Sequence, residues 1–90
     1  MSDKLTFGQK AVGLTFNPSG DPTVNKVKQT CADAIDQMND LRSETTSQEQ
    51  KRLASVAITE LQGAQMWAVK ALTWRDEKEV ENLSQAADQC

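Results

Sequence analysis

The run Asp21–Gln50 reads DPTVNKVKQTCADAIDQMNDLRSETTSQEQ and contains two helix starts joined by an uninterrupted apolar pattern. Asp21 is a good N-cap, and Pro22 suits the first helical position, where its missing N–H is not needed and its fixed φ is already helical. From Pro22 to about Glu44 no glycine or proline intervenes, and Val24, Val27, Cys31, Ile35, Met38 and Leu41 recur at spacings of three and four. Lys26, Asp33, Asp36, Asp40 and Arg42 take the other side. The pattern predicts an amphipathic helix of about 23 residues, ~34 Å long. Glu44-Thr45-Thr46-Ser47 reads as a turn, after which Thr46 with Glu49, or Ser47 with Gln50, supplies a capping box for a second helix.

That second helix runs to about Trp74, roughly 28 residues and ~42 Å. Gly63 is its weak point, costing ~1 kcal/mol against alanine, and reads as a place where another helix comes close. Up to Gln62 the helix is amphipathic, with Leu53, Val56, Ala57 and Leu61 on one side. From Ala64 the run AQMWAVKALTW is apolar nearly all round. Such a helix must be covered on all sides, and a two-helix hairpin covers only one. The fold class is therefore all-α: a short N-terminal segment plus a long antiparallel helical hairpin over residues 1–74. Its surplus apolar surface (Met66, Trp67, Val69, Leu72, Trp74) predicts a homo-oligomer. Residues 75–90 are acidic with a thin stripe of Val80, Leu83 and Ala87, and form either a short third helix or a loosely docked tail.

Ninety residues make one small domain, and 38% hydrophobic with 26% charged residues is too apolar for a disordered chain. Residues 1–74 carry eight basic and eight acidic side chains, so the whole net charge of −3 belongs to the tail. Residues 1–30 hold Lys4, Lys10, Lys26 and Lys28 against Asp3 and Asp21. Binding DNA wants a broad basic face, which this chain lacks; a small anion needs only a few charges in one place. Cys31 and Cys90 make neither a disulfide framework nor a metal site, and Cys31 reads as a buried thiol. No stretch approaches the ~20 apolar residues of a membrane span, and the first residues lack the apolar core of a signal peptide, so a cytoplasmic protein without membrane partners is expected.

Catalysis finds little to work with. The chain has no histidine, which removes the usual general base and the commonest transition-metal ligand. Asp33, Asp36 and Asp40, at i, i+3 and i+7, imitate an acid/base or metal cluster, yet a solvated acidic face accounts for them. Neither GxxxxGK[ST] nor GxGxxG occurs. The expectation is not an enzyme, with no metal and no cofactor.

The loop before the first long helix is more informative. Asn17-Pro18-Ser19-Gly20 presents N–H groups and small polar side chains beside a helix N-terminus, an end that attracts anions. Lys26 and Lys28 lie one and two turns into that helix, Lys10 precedes the loop, and Phe16 offers a flat apolar face. Cations and N–H groups for phosphate beside an aromatic for a base are the parts of a nucleotide site. The candidate ligand-binding residues are Lys10, Phe16, Asn17, Pro18, Ser19, Lys26 and Lys28. The same residues also compose an ordinary loop and cap, in which Phe16 staples the helix entry.

Three stretches, AVGLTFNPSGD (11–21), VNKVK (24–28) and AQMWAVKALTW (64–74), add a resemblance. Together they are similar to the hairpin domain shared by bacteriophage anti-CBASS sponge proteins and their Thoeris anti-defence relatives, over most of residues 6–74, with T4-like phage members close in pattern. The resemblance implies a small, usually hexameric helical protein without catalytic activity. Such proteins sequester the cyclic oligonucleotide messengers of bacterial anti-phage systems, so that host effectors are never switched on. Their pockets lie between protomers, where an aromatic stacks on a base and a lysine meets phosphate. Matching the family's asparagine-to-lysine step onto Asn25-Lys26-Val27-Lys28 makes Lys28 the phosphate lysine. In some members tyrosine directly follows a glycine; here Gly13 is followed by Leu14, and Phe16 is the nearest aromatic.

The leading expectation is a phage sponge for cyclic dinucleotides, acting in the cytoplasm of the infected bacterial host as a homo-oligomer, a hexamer by the resemblance. Some members carry a second site for cyclic trinucleotides near the packed helix ends. Lys70, Trp74 and Arg75 are available for it, although Trp67 and Trp74 also read as interface core. The alternatives are sequestration of cyclic ADP-ribose-type Thoeris signals, or a helical adaptor whose apolar second helix docks on a host protein.

Overall fold

The computed structural model describes residues 4–76, and within them the chain forms three helices. These are α1 (Phe7–Ala11), α2 (Pro22–Glu44) and α3 (Gln48–Thr73). The expected acidic tail, Cys90 included, lies outside the described residues apart from Arg75 and Asp76. The helix starts follow from the sequence chemistry. The Asp21 carboxylate accepts from the Thr23 N–H at 2.9 Å, with Pro22 next in line. Of the two capping alternatives Ser47 is the one used: its hydroxyl accepts from the Gln50 N–H at 3.1 Å. α1 has a full capping box, in which the Thr6 hydroxyl accepts from the Gln9 N–H and the Gln9 side chain accepts from the Thr6 N–H.

Only Thr45–Ser47 separate α2 from α3, so the two pack as an antiparallel hairpin. The Cα radius of gyration is 17.4 Å, against ~12 Å for a compact chain of this length, and the extents of 57 × 34 × 13 Å describe a flat, elongated molecule. α1 and the segment after it run back along α2. The core is Val12, Ala32, Ile35 and Ile58, with Ala11, Leu14, Cys31, Met38 and Leu61 packed against it. Arg42 fastens the turn end. Its guanidinium donates to Asn39 at 2.9 Å on α2 and to Ser55 at 3.0 Å on α3, and lies over the Phe7 ring of α1 at 5.3 Å.

Several expectations need correction. The fully buried line on α2 is Val24, Lys28, Ala32 and Ile35, while Val27, Cys31, Met38 and Leu41 are half-buried. α2 is covered by α3 on one side and by the N-terminal segment on another, so the inward line falls between the two. Cys31 is accordingly half-buried rather than enclosed; what burial it has pushes its thiol pKa up. On α3 the buried line is Ala54, Ile58 and Gln65; Leu53 and Val56 face outward.

Asp36 is not merely a solvated carboxylate, because it accepts from the Gly8 N–H at 2.6 Å and docks α1 onto α2. Gly63, read as a close-approach position, has nothing within 4 Å of where a Cβ would sit. The close-approach glycine is Gly8, where a Cβ would collide with the Ala32 carbonyl.

These two glycines carry opposite predictions. Gly8→Ala overpacks the α1–α2 contact and should lower stability by about 1–3 kcal/mol, whereas Gly63→Ala should raise it by about 1 kcal/mol through helix propensity. Denaturant midpoints at matched slopes check both; equal effects at the two positions would contradict the assignment.

Candidate ligand-binding site

The loop between α1 and α2 is two tandem turns, each using a glycine in the left-handed region that other residues adopt only with strain. Gly13 (φ 63°) leaves α1, with its N–H donating to the Lys10 carbonyl at 3.1 Å, and the Phe16 N–H donates back to the Gly13 carbonyl at 2.9 Å. Gly20 (φ 69°) closes the second turn onto the Asn17 carbonyl at 3.1 Å.

Asn17 is the hub of that second turn. Its amide donates to the Asp21 carbonyl at 3.0 Å and to Asn25 Oδ1 at 3.1 Å, while its own Oδ1 accepts from the Ser19 hydroxyl at 2.7 Å. The Ser19 hydroxyl accepts in turn from the Asp21 N–H at 3.2 Å. Asn17 and Ser19 thus shape the loop with bonds that a ligand would otherwise receive, and Pro18 sits exposed between them.

The cations fall into two kinds. Lys10, in the last turn of α1, and Lys26, in the second turn of α2, are exposed. Lys28 is only 4% exposed; its ammonium donates to the Gly13 carbonyl at 2.9 Å and to the Phe16 carbonyl, and lies 5.6 Å from the Phe16 ring centroid. The Phe16 ring is itself 71% exposed. The structure therefore joins Lys28 and Phe16 directly and ties Asn17 to Ser19, while Lys10 stands on a separate helix.

The α2 N-terminus, read as an end that attracts anions, is already capped. Asp21 already places its own carboxylate there, on the Thr23 N–H and hydroxyl, where a second anion would be repelled.

A surface hollow of about 540 Å³ lies alongside, lined by Leu14, Thr15, Pro22, Asn25, Lys26 and Gln29. Its size falls in the range of small-molecule sites. Leu14, Thr15, Asn25 and Gln29 were not among the sequence-derived candidates. The signal available was spacing, since Pro22, Asn25, Lys26 and Gln29 share one face of α2. Lys26 also lines a second hollow of about 460 Å³ between the start of α2 and the end of α3, with Val27, Ala68, Ala71 and Leu72. Near that end the Lys70 ammonium lies over the Trp67 ring at 5.5 Å, and Trp74 donates to Asp76 at 3.3 Å.

The helical hairpin thus carries a braced loop, an outward aromatic and nearby lysines. The chain belongs to the Acb2/Tad1 hairpin-domain family, whose model matches residues 9–73, the anti-CBASS and anti-Thoeris sponges. No curated protein and no solved structure matches it. Membership implies a sponge for cyclic nucleotide signals, a role of binding rather than turnover. Among the described residues no helix is long and apolar enough to cross a membrane.

Asp21 makes the loop's anchorage sensitive to pH. Bonds from the Thr23 hydroxyl and N–H hold its carboxyl below the usual aspartate range. A carboxyl whose folded pKa is depressed stabilises the fold above its unfolded pKa of ~3.9, and that contribution disappears as pH falls through the lower folded value. Asp21→Asn should therefore flatten the acid limb of the stability profile below about pH 4 while keeping a cap. Thermal melts from pH 2 to 7 would show this, and an unchanged acid limb would contradict it.

Proposed function

We propose that this chain is a phage-encoded sponge that binds cyclic dinucleotides without cleaving them and so keeps host CBASS effectors from being activated, in the cytoplasm of the infected bacterium. The observation that carries the reading is the Phe16 ring. It is exposed over most of its surface, yet its carbonyl is held by Lys28, and the two residues before it, Leu14 and Thr15, line a hollow with Asn25, Lys26 and Gln29. An exposed aromatic face on a braced turn is a fitting platform for a nucleobase. Lys26, with Lys10 from α1, supplies positive charge for phosphate. Asn17, Pro18 and Ser19 contribute by setting the loop's shape, and Lys28 completes the site from beneath.

The assembly belongs to the same proposal. Met66 and Trp67 are 66% and 71% exposed on the distal part of α3, and Leu72 and the C-cap Trp74 are exposed as well. In a homo-oligomer, a hexamer by family analogy, this surface is buried and neighbouring chains complete the pockets. Trp67 and Trp74 then act in the interface. A second site for cyclic trinucleotides at Lys70, Trp74 and Arg75 is the subordinate part of the reading.

A capture-and-release experiment tests the function. Purified protein is mixed with cyclic di- and trinucleotides and cyclic ADP-ribose products, filtered, heat-denatured, and the freed ligand identified by chromatography. Intact cyclic dinucleotide at fixed stoichiometry is expected. Recovery of a cyclic ADP-ribose product alone would move the chain to the Thoeris branch, and linearised product would contradict sequestration. Passage of every candidate unbound would return the adaptor reading.

Light scattering checks the assembly: the free protein should have a mass several times that of one chain at micromolar concentration, and Trp67→Ser should lower it. A monomeric mass for the unaltered protein would overturn the oligomer.

A further inference from the structure

Lys28 is the one lysine on the buried line of α2, four residues from Val24 and four from Ala32. An ammonium enclosed in a protein must be held by acceptors, and here the acceptors are the carbonyls at the two ends of one turn, Gly13 and Phe16. The Gly13 carbonyl receives the Phe16 N–H as well, so a single oxygen closes the turn and ties it to α2. The aliphatic stem of Lys28 lies in the interior while its charge sits 5.6 Å from the Phe16 ring. To meet a phosphate directly, this ammonium would have to give up the bonds that hold Phe16 in place.

We propose that Lys28 is a positioning residue: its ammonium latches the Gly13–Phe16 turn onto α2 and so presets the Phe16 ring for stacking, while phosphate is met by exposed Lys26. The stacking half of this rests on the nucleotide-binding reading above; the latch itself does not. Preorganisation of this kind raises affinity by removing the ordering cost of a loop at the moment of binding.

The test has two arms. In ligand-free protein, amide hydrogen exchange is compared between the unaltered chain, Lys28→Met and Lys26→Met. Lys28→Met should speed exchange of the Phe16 N–H at least tenfold while leaving the α2 and α3 interiors protected, and Lys26→Met should change neither. If Lys28→Met unfolds the protein, Lys28→Gln, whose shorter side chain cannot reach both carbonyls, takes its place.

In the second arm, cyclic di-AMP and cyclic GMP–AMP are titrated into Phe16→Ala, the Lys28 variant and the double variant. If Lys28 acts through Phe16, its substitution costs less than twofold once the ring is gone. Unchanged Phe16 exchange would overturn the latch. An equal loss with and without the ring would assign Lys28 to the ligand instead. If neither probe binds the unaltered protein, the stacking role falls with the function, and exchange alone still decides the latch.

Discussion

The contact between Gly8 and α2 determines where everything on the N-terminal side of the hairpin lies. The α1 backbone approaches the Ala32 carbonyl so closely that no side chain fits between, and the Gly8 N–H spends its hydrogen bond on Asp36. A bond to a charged acceptor is about twice as strong as a neutral one, which suits a five-residue helix too short to be stable alone. Once α1 is fixed there, Val12 completes the core with Ala32, Ile35 and Ile58. Gly13 follows directly, so the turn that carries Phe16 can only land over Lys28. The loop's geometry thus descends from a glycine well away from it.

The hairpin itself leaves a different problem. Two helices joined by three residues share one seam, and the N-terminal segment covers a second side of α2 but little of distal α3. The buried line of α3 ends with Gln65, after which Met66, Trp67 and Trp74 are exposed and Leu72 is only partly covered at the edge of the α2–α3 hollow. Ordinary monomers seldom expose so many large apolar side chains within so short a stretch. The elongated shape makes this worse, because a thin molecule has little interior in which to hide bulky side chains.

How much of this was legible depended on how local the physics was. Asp21-Pro22 and Ser47-x-x-Gln50 announce helix starts through bonds made within four residues, and the structure begins both helices there. The all-round apolar character of residues 64–74 likewise reads directly as surface in need of cover. Contacts between elements did not show. Nothing in the sequence singles out Gly8, and Asp36 reads as one of three solvated carboxylates, because their meeting depends on how the N-terminal segment folds back. Lys28 was read from its charge. Its place on a buried line was available from Val24 and Ala32, four residues to either side, but the apolar pattern through Val27 and Cys31 drew the inward face a little off. Family resemblance reinforced the charge reading, since it assigns a role to a lysine without saying what holds it.

The proposed function sets an energetic requirement that this geometry partly meets. A protein that removes a messenger by stoichiometry must out-compete the effector, which calls for binding near nanomolar strength, ~12 kcal/mol. A single hollow on one chain, with Lys26 in its wall and the Phe16 ring outside its lining, covers only part of a cyclic dinucleotide. Two routes close the gap. One is preorganisation: the Asn17–Ser19–Asp21 bonds and the Lys28 latch mean that little loop entropy is lost on binding. The other is enclosure by a second chain, which the uncovered surface of α3 would bring about for its own reasons. Enclosure slows release more than it speeds capture, and residence time is what a sequestering protein needs most. On this reading the apolar excess of α3 and the braced loop of residues 13–20 serve one purpose, and neither would be sufficient alone.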